Sequence, residues 1–244
     1  MNVKRHGSAV LLALLLLPGI AADETRYAAE RTALVEEVRG HGRLYGGGDG
    51  AAIDEAVLRV LGEVPRHEFV PASQRGAAYE NHPLPIGHGQ TISQPFVVAL
   101  MTELLMAGSP RRVLEVGTGC GYQTAILARL CDKVFTIERV EALLPRAQER
   151  FAALGLRNVI SKLGDGYEGW EVHAPFDAII VTAAAPHVPE KLLAQLAVGG
   201  RMVVPVGAEG VQQLMVIDRT PEGFAESTRE SVRFVPLLTG TTPK

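Results

Sequence analysis

Residues 113–130 read VLEVGTGCGYQTAILARL. An apolar run breaks into alternating glycines and resumes with helical spacing, an order of strand, glycine turn and helix that usually holds a nucleotide-like ligand. Outward from this stretch, apolar segments of strand length alternate with helical ones. RRVLEV, KVFTIE, NVISKLG, FDAIIVTAA and RMVVPVG are the candidate strands, and residues 121–130, 140–154 and 189–196 the helices among them. Such alternation predicts βαβ units and a mostly parallel sheet covered on both faces. The runs IIV and MVV are continuous rather than alternating, as expected of strands buried on both sides. Beyond Gly207 the helical patterns stop. QQLMVIDRT and STRESVRFVPL, joined by PEGFAE, predict an antiparallel pair that closes the sheet.

The dinucleotide fingerprint G-x-G-x-x-G would place a third glycine at position 122, which is Tyr122. The spacing is instead E-x-G-x-G-x-G, formed by Glu115, Gly117, Gly119 and Gly121. Glycines here let the backbone approach a ligand closely and adopt φ values that other residues avoid. Two further acids follow the same logic. Glu138 ends the segment VFTIE, where a carboxylate at a strand tip can accept from both hydroxyls of a ribose. Asp165-Gly166, in GDGYEGW, follows the next strand. Three sites at the carboxyl ends of successive strands form one crevice, the place where open α/β sheets bind ligands.

The glycine spacing, with an acid two residues before the first glycine, resembles motif I of class I S-adenosylmethionine-dependent methyltransferases. The loop LPIGHGQTISQP, residues 84–95, narrows the resemblance. Together with VLEVGTGCGYQTA, GDGYEGW, FDAIIVTAAAPHVPEKLLAQLAVGGRMVVPVG and VRFVPL, it closely resembles the protein-L-isoaspartate O-methyltransferase family over residues 51–240. The resemblance implies a Rossmann-like α/β sheet and S-adenosylmethionine as cofactor. It also implies a repair reaction that methylates the misplaced α-carboxylate of isoaspartyl residues in damaged proteins. The ester then cyclises to a succinimide, which hydrolyses partly to normal aspartate. Carried onto this sequence, the family's active-site serine is Ser93, expected to donate to the substrate carboxylate. Thr91, Ile92, Glu115, Gly117, Gly119, Gly121, Glu138, Asp165 and Gly166 are the expected cofactor contacts, with Asp165 directed at the adenine amino group. Ser93 has a second reading, as N-cap of the helix beginning PFVVALMTELL with Pro95 in its first turn. VRFVPL either folds back over the cofactor or is a simple closing strand. His82, His88, His173 and His187 lie in loops without metal-like spacing, and Trp170 reads as packing.

A carboxylate substrate is already a nucleophile, so the absence of a Ser/His/Asp or Cys/His pattern fits such chemistry. Two rivals remain open: a methyltransferase of the same fold acting on a small-molecule acid, and a non-catalytic exported binder of damaged peptides.

The N-terminal part is less regular. Lys4 and Arg5, the apolar residues 9–17, the break at Pro18-Gly19 and the small pair Ala21-Ala22 match the three parts of an export signal. That apolar stretch is short for a membrane span, which needs about 20 residues. Residues 1–22 are therefore expected to direct export to the periplasm and be cleaved, an uncleaved anchor or a misplaced start being the alternatives. Residues 23–95 read as a cap rich in helix and loop. Helical spacing runs over 25–38 and 54–61, RGHGRLYGGGDGAAI forms a glycine-rich joint, and proline-punctuated segments follow. Residues 96–244 form the methyltransferase core.

The 244 residues are 47% hydrophobic and 21% charged, ordinary for a soluble globular protein. A net charge of −3, no long basic run and a single Trp argue against nucleic-acid binding. Isoaspartyl proteins and peptides are the expected partners of a monomer with no stable membrane association. Cys120 and Cys131 lie eleven residues apart near the two ends of the predicted helix, about 16 Å at 1.5 Å per residue. A disulfide needs about 7 Å or less between Cα atoms, so two free thiols are expected, with Cys131 buried.

Overall fold

The computed structural model describes residues 18–45 and 52–242. Two helices open it, α1 (Pro18–Tyr45) and α2 (Glu55–Glu63), followed by two 3-10 turns and a hairpin of β1 (Leu84–Gly87) and β2 (Gln90–Ile92). Then come α3 (Pro95–Met106), β3 (Arg112–Val116), α4 (Tyr122–Leu127), β4 (Lys133–Glu138), α5 (Leu144–Ala153), β5 (Val159–Leu163) and β6 (Phe176–Val181). α6 (Glu190–Ala194), β7 (Leu196–Val206), β8 (Gln212–Thr220) and β9 (Gly223–Val232) complete the chain.

β3 to β9 form one seven-stranded sheet in the order β5-β4-β3-β6-β7-β8-β9. The pairs among β3 to β7 are parallel, and β8 and β9 are antiparallel additions at one side. The α/β expectation, including the antiparallel C-terminal pair, is met. The strand order reverses between β3 and β6, so a crevice forms beyond the carboxyl ends of those two strands. Successive side chains of each central strand alternate between two separate cores. Leu114, Val116, Phe135, Ile137, Ile179 and Val181 enter one of them. Val113, Val134, Ala178 and Ile180 enter the other, against Met101 and Leu105 of α3.

Several local expectations need correction. The glycine-rich joint does not begin at Arg39, because α1 continues through Gly40 and Gly42 to Tyr45. A Cβ on Gly42 would lie 3.0 Å from Ile53 Cγ1, so the missing side chain is what allows close approach at that point. Residues 46–51 of the proposed joint and residues 1–17, most of the proposed leader, lie outside the described residues. Asp54 caps α2 by accepting from the Ala56 N–H at 2.7 Å. The segment LPIGHGQTI is a hairpin rather than a loop: Leu84 and Ile86 point inward, and Gly87, His88 and Gly89 all have positive φ at its turn. PEGFAE is not all connection, since β9 starts at Gly223 and only Pro221 and Glu222 separate the strands. β9 ends at Val232, before FVPL. Both cysteines are free, and Cys131 is only partly buried.

Among the described residues no helix is long and apolar enough to cross a membrane. The cap shares its core with the α/β portion that follows it. Leu34, Leu58 and Phe69 lie in one cluster with Phe96, Tyr122 and Leu143.

Candidate active site

The crevice at the strand reversal is a pocket bounded by the turn after β3, the tip of β4, the start of the segment after β6 and the β1–β2 hairpin. The turn is built under tight steric limits. Gly117 has φ 102°, and a Cβ there would fall 2.4 Å from Thr182 Oγ1, the hydroxyl that donates to the Gly117 carbonyl at 2.7 Å. Gly121 has φ 90°, and its Cβ would meet the Phe151 ring at 2.5 Å. Each position therefore demands glycine twice, by backbone conformation and by space. Gly117 lies on the pocket wall, whereas Gly121 lies behind it.

Glu138 fixes the other side of the turn. It is buried at the tip of β4, where one carboxylate oxygen accepts from the Gly119 N–H at 2.6 Å and the other from the Val140 N–H at 2.8 Å. Burial pushes its carboxyl above the usual range, while the backbone donors at Val140, Gly119 and Arg139 act in the opposite direction. A carboxylate offers about four acceptor positions. Each oxygen thus keeps capacity for a further donor on the pocket side, where Glu138 forms part of the wall.

Glu115 occupies a different position from the expected one. It is fully buried and absent from the pocket wall. The β3–β4 register sets Glu115 beside Thr136, whose hydroxyl donates to it at 2.7 Å, and the Thr124 hydroxyl of α4 donates to the same oxygen. Thr136 also bonds the Thr118 hydroxyl at 2.6 Å, and Thr118 does line the pocket. Glu115 is thus joined to the turn from behind through two threonines. Its second oxygen has no hydrogen-bond partner. Burial pushes its carboxyl up to about 8 against the opposing pull of the two threonine hydroxyls, with the nearby Glu138 adding to the rise. Glu115 is therefore largely the neutral acid at pH 7.

Asp165 makes local bonds of its own. One oxygen accepts from the Tyr167 N–H at 2.8 Å, capping a 3-10 turn, and the other from the Gly240 N–H at 2.5 Å. Asp165 does not line the pocket, although Gly166 does. A Cβ on Gly166 would lie 2.4 Å from Val116 Cγ1, so this backbone presses directly on the end of β3.

Thr91, Ile92 and Ser93 all reach the pocket wall. Ser93 does not cap α3: the flanking residue is Gln94, no side chain at that position caps, and the Asn81 side chain accepts from the Phe96 N–H at 3.0 Å instead. VRFVPL divides between the two readings left open for it. Its first residue, Val232, ends β9, and Val235, Pro236 and Leu237 cross back to the end of β6 and wall the pocket. Ala184 donates to the Val235 carbonyl at 2.8 Å and accepts from the Leu237 N–H at 2.7 Å. Thr182 and Tyr122, also on the wall, were not anticipated. Thr182 directly follows a strand of the central sheet, and that position was its only sequence signal. Burial pushes the Tyr122 hydroxyl up to about 12. Behind its ring lies Arg66, fully buried, with the guanidinium carbon 5.0 Å from the ring centroid. His88 sits exposed at the hairpin turn, away from the wall, and Trp170 packs against the Phe135 ring at 5.9 Å.

The pocket suits an S-adenosyl cofactor. Val116, Ile137 and Leu237 supply apolar walls for a purine, Glu138 retains acceptor capacity for ribose hydroxyls, and the glycine turn leaves main chain open to the ligand.

Comparison with known proteins agrees. The family model for protein-L-isoaspartate(D-aspartate) O-methyltransferase (PCMT) matches residues 44–242. A protein-L-isoaspartate O-methyltransferase of Pseudomonas paraeruginosa is 58% identical over 185 residues, which cover 75% of this chain and 88% of that one. A solved protein-L-isoaspartate O-methyltransferase superposes with TM-score 0.74 at 28% identity, covering 84% of this chain, which spans 65% of the solved chain. A Plasmodium falciparum structure described as a beta-aspartate methyltransferase (PCMT), in complex with S-adenosyl-L-homocysteine, gives TM-score 0.71 at 27% identity. That match covers 85% of this chain and 98% of the other.

The state of Glu115 sets a pH dependence. Its folded carboxyl titrates near 8, above the ordinary 4.5, so the folded protein holds a proton that the unfolded chain releases. The associated stability is complete below about pH 4.5 and is lost as pH rises through 8. Glu115→Gln imitates the neutral acid and retains an acceptor for the threonines. Urea midpoints at pH 5 and pH 8.5 should show the variant losing less stability than the parent across that interval. Parallel losses in the two proteins would mean that Glu115 is already ionised in the fold.

Proposed function

The chain belongs to the protein-L-isoaspartate(D-aspartate) O-methyltransferase family, and on that premise we propose how its pocket methylates isoaspartyl carboxylates with S-adenosylmethionine. Gly117, Gly119 and the main chain at Gly166 seat the cofactor, Glu138 receives its ribose hydroxyls, and Thr91 and Ile92 close over it. Glu115, Gly121 and Asp165 act from behind the wall, holding the shape of the turn and of the C-terminal segment. The observation that carries this reading is the place of Ser93. It lies on the wall of the cofactor pocket and also on that of an adjoining open groove, where a polypeptide has room to pass. A site for a small acid would need no such opening, and a non-catalytic binder would need no intact glycine turn.

When bound, the cofactor supplies a methyl group on a positively charged sulfur. A carboxylate oxygen of the isoaspartyl residue is nucleophilic without help, so the protein need not remove a proton. The Ser93 hydroxyl donates to the second carboxylate oxygen and holds the first in line. The new O–C bond replaces the S–C bond, giving a methyl ester and a neutral thioether. Opposite charges disappear as this happens, so exclusion of water by Ile92, Val235 and Pro236 favours the transition state. Alignment supplies much of the remaining acceleration.

The test uses radiolabelled S-adenosylmethionine with matched isoaspartyl and aspartyl peptides. Base-labile methyl ester should appear on the isoaspartyl peptide alone. Ser93→Ala should lower kcat by about tenfold to a hundredfold, the scale of one lost hydrogen bond to a charged group, with KM for the cofactor changed far less. Label on both peptides, or equal losses in kcat and cofactor affinity, would contradict the assignment.

The protein is further proposed to act as an exported monomer without nucleic acid. Lys4, Arg5, the apolar residues 9–17 and Ala21-Ala22 support export. The described helix α1 starts at Pro18, so cleavage after Ala22 would remove its first residues. Fractionation of cells expressing the full chain, with mass measurement of the product, should give a periplasmic protein shortened by the leader. A full-length cytosolic product would contradict export.

A further inference from the structure

The groove beside the reaction pocket has a chemistry of its own. Thr91 and Ser93 belong to both cavities, so the groove starts where the reacting carboxylate must lie. One wall comes from Pro83, Gln94 and Val97, and the other from Val211 and residues 231–234. The second wall joins the end of β9 (Ser231 and Val232), the last strand in the sheet order and paired only with β8, to Arg233 and Phe234 just beyond it and to Val211 just before β8. The lining is apolar or neutral except at Arg233. Arg233 is exposed and makes no ion pair within 4.0 Å among the described residues. A cation without a counter-charge on a wall with no acid favours a negatively charged occupant.

We propose that this groove takes the polypeptide segment flanking the isoaspartyl residue, and that Arg233 makes the enzyme prefer acidic side chains in that segment. The inference rests on the reading of Ser93 as the carboxylate-aligning residue. A polypeptide substrate must leave the reaction site along its own chain, and the groove continues directly from Ser93. The open edge of β9 offers main chain that an extended segment can lie against. Arg233 sits at the rim, so its effect is chiefly on capture of the peptide and weakens with salt.

Three isoaspartyl peptides decide the matter, identical except for Glu, Gln or Lys on both sides of the isoaspartyl residue. Their kcat/KM values are compared for the parent protein, Arg233→Gln and Arg233→Glu, at low and at high salt. The ratio of Glu to Lys peptide cancels any general loss of folded enzyme. The parent should favour the Glu peptide over the Lys peptide by about twofold to fivefold at low salt, the scale of an exposed charge pair, and less at high salt. Arg233→Gln should bring the ratio towards one, and Arg233→Glu should invert it. A parent ratio of one, or a ratio that Arg233→Glu leaves unchanged, overturns the inference while isoaspartyl methylation stands. No methylation of any isoaspartyl peptide by the parent overturns the underlying reading as well.

Discussion

The hydrogen bond from the Gly119 N–H to the Glu138 carboxylate, 2.6 Å long and buried at the strand tips, is the contact around which the site is organised. It joins the turn after β3 to the end of β4 and directs a carboxylate into the crevice between them. The turn can donate this bond only because its backbone takes left-handed φ values, which L side chains avoid. A buried charged acceptor with backbone donors is among the stronger hydrogen bonds a protein makes, and loss of either partner leaves the other exposed to a desolvation cost. Behind the same turn a second acid, Glu115, holds Thr118 through Thr136. The two acids occupy opposite settings: Glu138 forms part of the pocket wall, and Glu115 sits in the dry interior as a neutral support.

The sheet explains why these groups meet. Parallel strands bring their carboxyl ends to one side, and the reversal of order between β3 and β6 opens the layer where Gly117 and Thr182 touch. The cap and the C-terminal segment then complete the walls from outside the sheet. The β1–β2 hairpin presents Thr91, Ile92 and Ser93, and residues 235–237 return across the end of β6. Asp165 stabilises that return by accepting from the Gly240 N–H. The reaction pocket is therefore the joint product of three parts of the chain far apart in sequence.

Much of this was legible in the residues. β3, β4, β6 and residues 202–205 of β7 are buried on both faces, so their apolar runs are continuous and their positions plain. The glycine turn and Glu138 were legible because the chemistry of the turn restricts residue type. The hairpin was hidden because two prolines and two glycines fall within residues 83–89, and its alternation lasts only four residues. The start of β9 was hidden for a different reason: it is an edge strand, exposed along most of its length, without a hydrophobic pattern. The backbone bonds of Asp165 were hidden because a short acid bonds its own neighbouring backbone when that is in reach, which spacing alone does not disclose. Glu115 could have been placed correctly. It lies within β3 rather than after it, and period two puts it on the face of Val113, away from the crevice.

Calorimetric binding of S-adenosyl-L-homocysteine to the parent, Glu138→Gln and Asp165→Asn proteins tests the centre of this account most directly. The account predicts one site per chain and at least about a tenfold loss of affinity for Glu138→Gln, the scale of one charge-assisted hydrogen bond. Asp165→Asn should lose markedly less, since the account assigns its carboxylate to holding the C-terminal segment through the Gly240 N–H. Equal binding by the parent and Glu138→Gln, or a larger loss for Asp165→Asn, would contradict the assignment of Glu138 as the acid that holds the cofactor.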